Sequence, residues 1–238
     1  MTSVDQAPSS SIAQPGYWWY QARSDLLRTV LAPHLGPDAR LLDVGSADGP
    51  SVAWMEELCR CRVALDVDLD ALAPGDVCGS ALQLPFTDEA FDVVAAFDVV
   101  EHCDPESTAM SELARVLAPG GRMLLAVPAY QWAWTRFDVD AGHYRRYTRR
   151  RLVSAATTAG LDVRRATYIF SGTFPLFVAE RLARRLRPAR EEPDTRLPEV
   201  SPWLEKLLMV LCRWDQRVLA SRDLPFGSSV VLVAVKPG

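Results

Sequence analysis

Leu41-Leu42-Asp43-Val44-Gly45-Ser46-Ala47-Asp48-Gly49-Pro50 is the stretch on which the reading of the fold turns. Residues 39–44 form an apolar run, broken by Arg40 and holding one acid near its end, the pattern of a buried strand. The run meets a Gly-X-Ala-X-Gly turn, and Pro50 then suits the first turn of a helix, where its fixed φ and missing N–H cost nothing. Small residues in such a strand–turn–helix let the backbone approach a ligand closely, and the helix start presents unpaired N–H groups. The turn is not the phosphate-cradling G-X-X-X-X-G-K-[ST]. Nor is it the full dinucleotide fingerprint, because no third glycine follows at Pro50 or beyond. What remains is a bend wrapped around something small and polar, with Asp43 at the strand's carboxyl end; the alternative is an ordinary tight strand-to-helix connection.

The 238 residues are 49% hydrophobic and 24% charged, which suits one globular domain with a sizeable core. A net charge of −4 does not advertise nucleic-acid binding. The five cysteines (Cys59, Cys61, Cys78, Cys103 and Cys212) are scattered, odd in number and without C-x-x-C spacing. That pattern argues against a disulfide framework or a cysteine metal site and points to a reduced, cytoplasmic compartment. Residues 1–14 are rich in Ser, Pro and Ala, lack an apolar core and read as a disordered tail rather than a signal peptide. A single domain is expected over 15–238, and no apolar run is long enough to span a bilayer.

Tyr17-Trp18-Trp19-Tyr20 opens a helical pattern through Leu26, Leu27, Val30 and Leu31 that Pro33 closes. Residues 15–36 either pack onto the domain or form a lid whose rings cover a ligand, which makes Trp18, Trp19 and Tyr20 candidate substrate contacts. Beyond the central turn, residues 51–61 predict a helix and 62–67 a second strand. Asp66, near that strand's end, would sit beside the first turn and could accept both hydroxyls of a ribose. Residues 79–86 predict a third strand with its exit loop, 91–97 a continuous apolar fourth strand and 106–117 a helix. A fifth strand over 122–127, a helix over 151–159, a sixth strand over 161–169 and a seventh over 230–235 complete the alternation. The fold class is therefore α/β, a largely parallel, doubly wound sheet with its ligand at the carboxyl ends of the strands. An insert at 171–228 carries amphipathic helices over 175–186 and 202–219 around a polar 187–198. The first sets Phe174, Phe177, Val178 and Leu182 against Arg181, Arg184 and Arg185. Core packing, a homodimer contact and a membrane-surface contact are its three readings.

In chain order, residues 41–49, Asp66, Leu84-Pro85-Phe86, Phe91-Asp92-Val93-Val94, Val99-Val100-Glu101-His102 and the run from Glu112-Leu113-Ala114-Arg115 to Pro119-Gly120-Gly121 resemble class I S-adenosylmethionine-dependent methyltransferases. The resemblance implies a Rossmann-like sheet of seven strands whose last is antiparallel, S-adenosyl-L-methionine as cofactor, S-adenosyl-L-homocysteine as product, and no metal. It also implies that Asp43, Gly45, Ser46, Ala47 and Gly49 hold the methionine part and Asp66 the ribose. By the same resemblance Ser80, Ala81 and Leu82 flank adenine, and Phe97 and Asp98 lie near the sulfonium. Val67 and His102 are further cofactor-binding candidates, although His102, directly after Glu101, reads first as a structural hydrogen-bonding residue. Two positions depart from the family pattern. Ala47 replaces the usual middle glycine, and Ser80 replaces the usual acid at the adenine amino group, leaving adenine to apolar contact with Ala81 and Leu82. Trp18-Trp19 and Gly142-His143-Tyr144-Arg145-Arg146-Tyr147-Thr148 resemble a bacterial subgroup found with glycan or natural-product pathways. The implied partner is a small-molecule acceptor, with no nucleic acid.

The segment 130–147 follows the fifth strand and should roof the acceptor pocket. His143 is the candidate general base, since an unperturbed imidazole titrates near neutrality, with Tyr147 and Asp138 as further catalytic candidates. The alternative is that His143 and Tyr147 tie the loop to the sheet. Tyr130, Trp132, Trp134 and Tyr144 are candidate substrate contacts, and Arg145 and Arg146 could fork onto an acidic acceptor. Two other function classes stand beside the methyltransferase. One is a nicotinamide-linked oxidoreductase, against which the missing glycine argues; the other is a catalytically idle cofactor-binding scaffold that docks a partner or a membrane through the insert.

Overall fold

A computed structural model describes residues 16–46, 52–186 and 200–238. Ala47, Gly49 and Pro50 of the central turn, the 1–14 segment and the 187–198 connection lie outside the described residues. The strands β1 (Arg40–Val44), β2 (Cys61–Asp66), β3 (Val77–Cys78), β4 (Phe91–Phe97), β5 (Leu117–Pro128), β6 (Asp162–Ile169) and β7 (Ser229–Val235) form one sheet in the order 3-2-1-4-5-7-6. Pairing is parallel from β3 through to β5, and β7 runs antiparallel between β5 and β6. The helices are α1 (Trp18–Leu31), α2 (Glu106–Val116), α3 (Arg136–Asp140), α4 (Arg149–Thr158), α5 (Phe174–Leu186) and α6 (Pro202–Leu219). This is the doubly wound sheet that the pattern predicts, with the one reversed strand that the resemblance implies.

The central strands are apolar along their whole length because both faces are covered. In β4 only Asp92 escapes burial, and its carboxylate accepts hydrogen bonds at 3.0 Å from both Nε and Nη2 of Arg40 at the start of β1. In β7, Val230, Val231, Leu232, Val233 and Ala234 have no exposed surface. The helix α1 buries Leu26, Leu27, Val30 and Leu31 at helical spacing and packs against α6, so the expected cover over the site is anchored in the core. Among the described residues no helix is long and apolar enough to cross a membrane.

Two expected elements differ. The third strand is Val77–Cys78, and the stretch 79–86 is a loop. Its alternating residues are folded into a turn instead, in which Ser80 accepts hydrogen bonds from the amides of Leu82 (to Oγ, 3.2 Å) and Gln83 (to the carbonyl, 3.0 Å). The helix expected over 51–61 is a 3₁₀ segment at Ala53–Leu58, because β2 begins at Cys61 and takes over its last residue.

Candidate functional site

The strand order reverses between β1 and β4, and at such a switch point the connections leave for opposite faces and open a crevice at the carboxyl ends. Gly45 begins the exit from β1 with φ at +76°, and a Cβ there would stand 2.3 Å from Val99 Cγ2. The absent side chain is thus a steric requirement. Ser46 beside it is buried, and Asp66 at the end of β2 is 7% exposed, with Oδ1 accepting from the Asp68 amide at 2.9 Å. Beyond β2, Ala81 is buried and Leu82 packs on the core, giving this end of the crevice an apolar wall. A bare backbone turn, a buried acid and an apolar wall in that sequence fit a nucleoside with an amino-acid tail. Val67, by contrast, is 70% exposed. Asp43 was expected to face the cofactor. The structure gives its Oδ2 to Arg62, through Nε at 3.0 Å and Nη2 at 2.8 Å, an ion pair that ties β1 to β2.

Opposite, β4 ends in buried Phe97, and the half-buried Asp98 that follows it adopts φ of +54°. Its carboxylate takes a 2.6 Å bond from Arg23, a nearly fully buried arginine of α1 whose guanidinium lies 5.7 Å from the Trp19 ring centre. Sequence reasoning missed Arg23; the signal was an arginine on the apolar face of an amphipathic helix. Tyr130 after β5 and Phe170 after β6 also have positive φ, at 63° and 65°. Three non-glycine exits in the left-handed region therefore share the sheet's carboxyl edge. Such strain gathers where surrounding structure fixes a site.

Residues 130–147 are stitched into that edge. The Tyr130 amide donates to the Tyr147 carbonyl at 2.6 Å, the Tyr147 amide to Pro128 at 2.9 Å, and the Tyr144 amide to Glu101 at 2.8 Å. At the centre lies Asp138, with no exposed surface. Its carboxylate accepts from His143 Nδ1 at 2.9 Å, Arg146 Nε at 2.7 Å and the Thr135 amide at 2.8 Å. Burial pushes this carboxyl up, but the bonds from His143 and Arg146 outweigh it and hold Asp138 well below the usual carboxylate range. His143 is therefore oriented by a carboxylate, and its ring stands edge-on to His102 with centres 4.6 Å apart. Desolvation, with His143 second, pushes the His102 imidazole down to about 4. Beneath both lies Glu101, fully buried; desolvation first and Asp98 second raise its carboxyl well above the usual range.

The structure reassigns three expected site residues. Arg145 is turned inward onto Asp104 (2.7 Å), and Arg146 is spent on Asp138, so neither presents a fork to an acceptor. Tyr147 has no exposed surface and packs under Arg151, and desolvation pushes its phenol strongly up, which suits a core residue rather than an acid–base group. The aromatics are brought together in part. Tyr130 stacks on Trp132 (5.7 Å), on Tyr168 (5.4 Å) and against Phe174, while Trp19 stacks on Phe170 at 5.7 Å. Trp18 and Trp134 are half-buried, Tyr20 is buried and Tyr144 is exposed.

The chain resembles known proteins along most of its length. A family model for a methyltransferase domain matches residues 42–125. A protein of Mycolicibacterium smegmatis described as a probable S-adenosylmethionine-dependent methyltransferase is 27% identical over 247 positions, covering 95% of this chain and 91% of its own. The demethylmenaquinone methyltransferase of Mycobacterium tuberculosis is 31% identical over 121 residues, 48% of this chain and 49% of its own. Among solved structures, phosphoethanolamine N-methyltransferase 2 of Haemonchus contortus, bound to S-adenosyl-L-methionine, superposes with a TM-score of 0.58 at 16% identity, covering 100% of this chain and 62% of that one. An S-adenosylmethionine-dependent methyltransferase of Thermotoga maritima gives 0.58 at 17% identity, covering 95% and 96%. At these identities the structural matches speak for the fold.

Proposed function

We propose that the chain, which matches a methyltransferase-domain model and an S-adenosylmethionine-dependent relative, is a class I S-adenosylmethionine-dependent methyltransferase that methylates an oxygen or nitrogen of a small molecule, a natural-product or sugar/glycan intermediate, in the cytoplasm. The observation that carries the reading is the crevice between β1 and β4, where Gly45 has no room for a side chain and Asp66 is buried at the end of β2. When bound, the cofactor supplies a methyl made electrophilic by its sulfonium. The chain's own task is to hold the acceptor in line behind that methyl and to take up its proton. Gly45 and Ser46 hold the amino-acid tail, Asp66 the ribose, and Ala81 and Leu82 the adenine. On the acceptor side the Asp138–His143 pair offers an oriented imidazole for the proton, and Trp132, partly exposed over Tyr130, offers an aromatic wall.

Calorimetry with S-adenosyl-L-methionine tests this reading. The intact chain should bind it, and Asp66→Ala should weaken binding on the order of 10- to 100-fold, the equivalent of roughly 1.5–3 kcal/mol for a charge-assisted hydrogen bond. No binding by the intact chain, or equal binding by the variant, sinks it. Mass spectrometry of an acceptor panel, watching for the gain of one methyl, then identifies the substrate.

A second reading rests on α6, where Trp203, Leu207, Val210 and Trp214 form an exposed apolar stripe, 69%, 44%, 55% and 54% exposed. A stripe of that kind is unusual on a monomer's surface and suits a cofactor-binding scaffold that docks a second copy, another protein or a membrane. Liposome co-sedimentation that survives Trp203→Ser and Trp214→Ser would remove the membrane version.

A further inference from the structure

Glu101 is the least satisfied polar side chain of the site. It has no exposed surface, and neither carboxylate oxygen has a hydrogen-bond partner. Burying a carboxyl group without a partner is costly, and an orphan of this kind in a folded protein marks the place of something that completes it. The neighbouring arginines are committed elsewhere, Arg23 to Asp98 and Arg146 to Asp138. What faces Glu101 is a pair of imidazoles. One ligand atom from each of Glu101, His102 and His143 lies within 4.8 Å of the other two. Nδ1 of His143 is bound to Asp138 at 2.9 Å, which leaves Nε2 as its available lone pair. A histidine oriented by a carboxylate on its other nitrogen is the arrangement that steadies metal-binding imidazoles. The Tyr144 amide pins this loop to the Glu101 carbonyl at 2.8 Å.

We propose that Glu101, His102 and His143 bind one divalent cation, Zn²⁺ by preference, at the acceptor end of the crevice. Zinc ligand atoms at about 2.0–2.2 Å from the ion stand roughly 3.3–3.6 Å apart in tetrahedral geometry. Bringing atoms that lie within 4.8 Å of one another to that spacing needs a side-chain rotation, for which the exposed His102 has room. Two imidazoles and one carboxylate suit Zn²⁺ and its first-row neighbours, whereas Mg²⁺ and Ca²⁺ favour all-oxygen shells. Three protein ligands leave a position for water or for an oxygen of the acceptor. The site thus deepens the methyltransferase reading by favouring an oxygen-bearing acceptor. That clause rests on the reading, while the binding of the ion does not. His143 serves as ligand or as base at one nitrogen, and titration decides between them.

The test uses the metal-free full-length chain, titrated with Zn²⁺ by calorimetry and with Co²⁺ by visible absorption, with S-adenosyl-L-methionine binding measured on the same samples. One Zn²⁺ per chain is expected, with Co²⁺ ligand-field bands of a nitrogen–oxygen site. Affinity should fall more than about 100-fold in His102→Ala and Glu101→Gln, and hold in Cys61→Ser and Cys78→Ser, which remove exposed thiols. His102 is exposed, so its variant separates loss of a ligand from loss of the fold. No Zn²⁺ bound below millimolar concentration, or unchanged affinity in His102→Ala, Glu101→Gln and His143→Ala, overturns the proposal. Cofactor binding that persists beside such a failure leaves the methyltransferase reading standing. Zinc binding that persists without cofactor binding upholds the ion site and sinks that reading instead.

Discussion

A single missing methyl group governs the first turn. Gly45 combines φ of +76° with a Val99 methyl 2.3 Å from where its Cβ would be. Gly45→Ala therefore meets both backbone strain and a clash, and should destabilise the chain by about 1–3 kcal/mol while weakening S-adenosyl-L-methionine binding. Adding Val99→Ala removes the clash and leaves the strain, so the double variant should recover part of the loss; thermal melts of the four proteins in that cycle measure it. His143 carries a different expectation. His143→Ala should leave cofactor affinity within about threefold but lower turnover on the order of 10²–10⁴-fold, the usual range for a proton-transfer group. Equal losses in affinity and turnover would make it a structural tie. The places of Gly45, Asp66 and His143 at the sheet's carboxyl edge were legible in the sequence, because each stands at a strand exit or in a loop whose place the motif order sets. It could not show that Arg145 and Arg146 face inward. Two adjacent arginines read as a surface patch until Asp104 and Asp138, distant or hidden in the same loop, claim them.

At the scale of elements, the loop 79–86 is held to α2 by a charged clamp. The Glu112 carboxylate accepts from the Leu84 amide at 2.8 Å, and Arg115 reaches the carbonyls of Leu84 (3.0 Å) and Phe86 (2.8 Å) while pairing with Glu112 and Asp88. The Arg115 hydrogen bond holds the Glu112 carboxyl below its ordinary value, against a smaller opposing effect of burial. A depressed carboxyl contributes stability above its unfolded pKa of about 4.3 and loses it as pH falls through the folded value. Between pH 6 and pH 3 the urea midpoint should therefore fall further in the parent than in Glu112→Gln, by the equivalent of about 1 kcal/mol after allowance for solvent screening. Most elements were legible because buried strands and amphipathic helices differ in period. The third strand was not. A two-residue strand has no period, and the alternation in 79–86 belongs to a turn organised by the Ser80 side chain.

For the molecule as a whole, β7 is the strand that closes the sheet. Its five buried residues, at roughly 1.5–3 kcal/mol for each larger side chain, are worth about as much as the entire stability of a domain, about 5–15 kcal/mol. Deleting 229–235 should abolish the cooperative thermal transition seen by circular dichroism, and a variant that still melts sharply would refute that weighting. The position of β7 also orders events at the ribosome. The strand β6 has β7 as its neighbour in the sheet, and 59 residues separate Ile169 from Ser229. At roughly 5–20 residues per second, the nascent chain carries β6 without its mate for about 3–12 s. Through that interval an unpaired apolar edge is open to other chains, so yield on expression should depend on translation speed and on chaperone supply rather than on the strength of the finished fold.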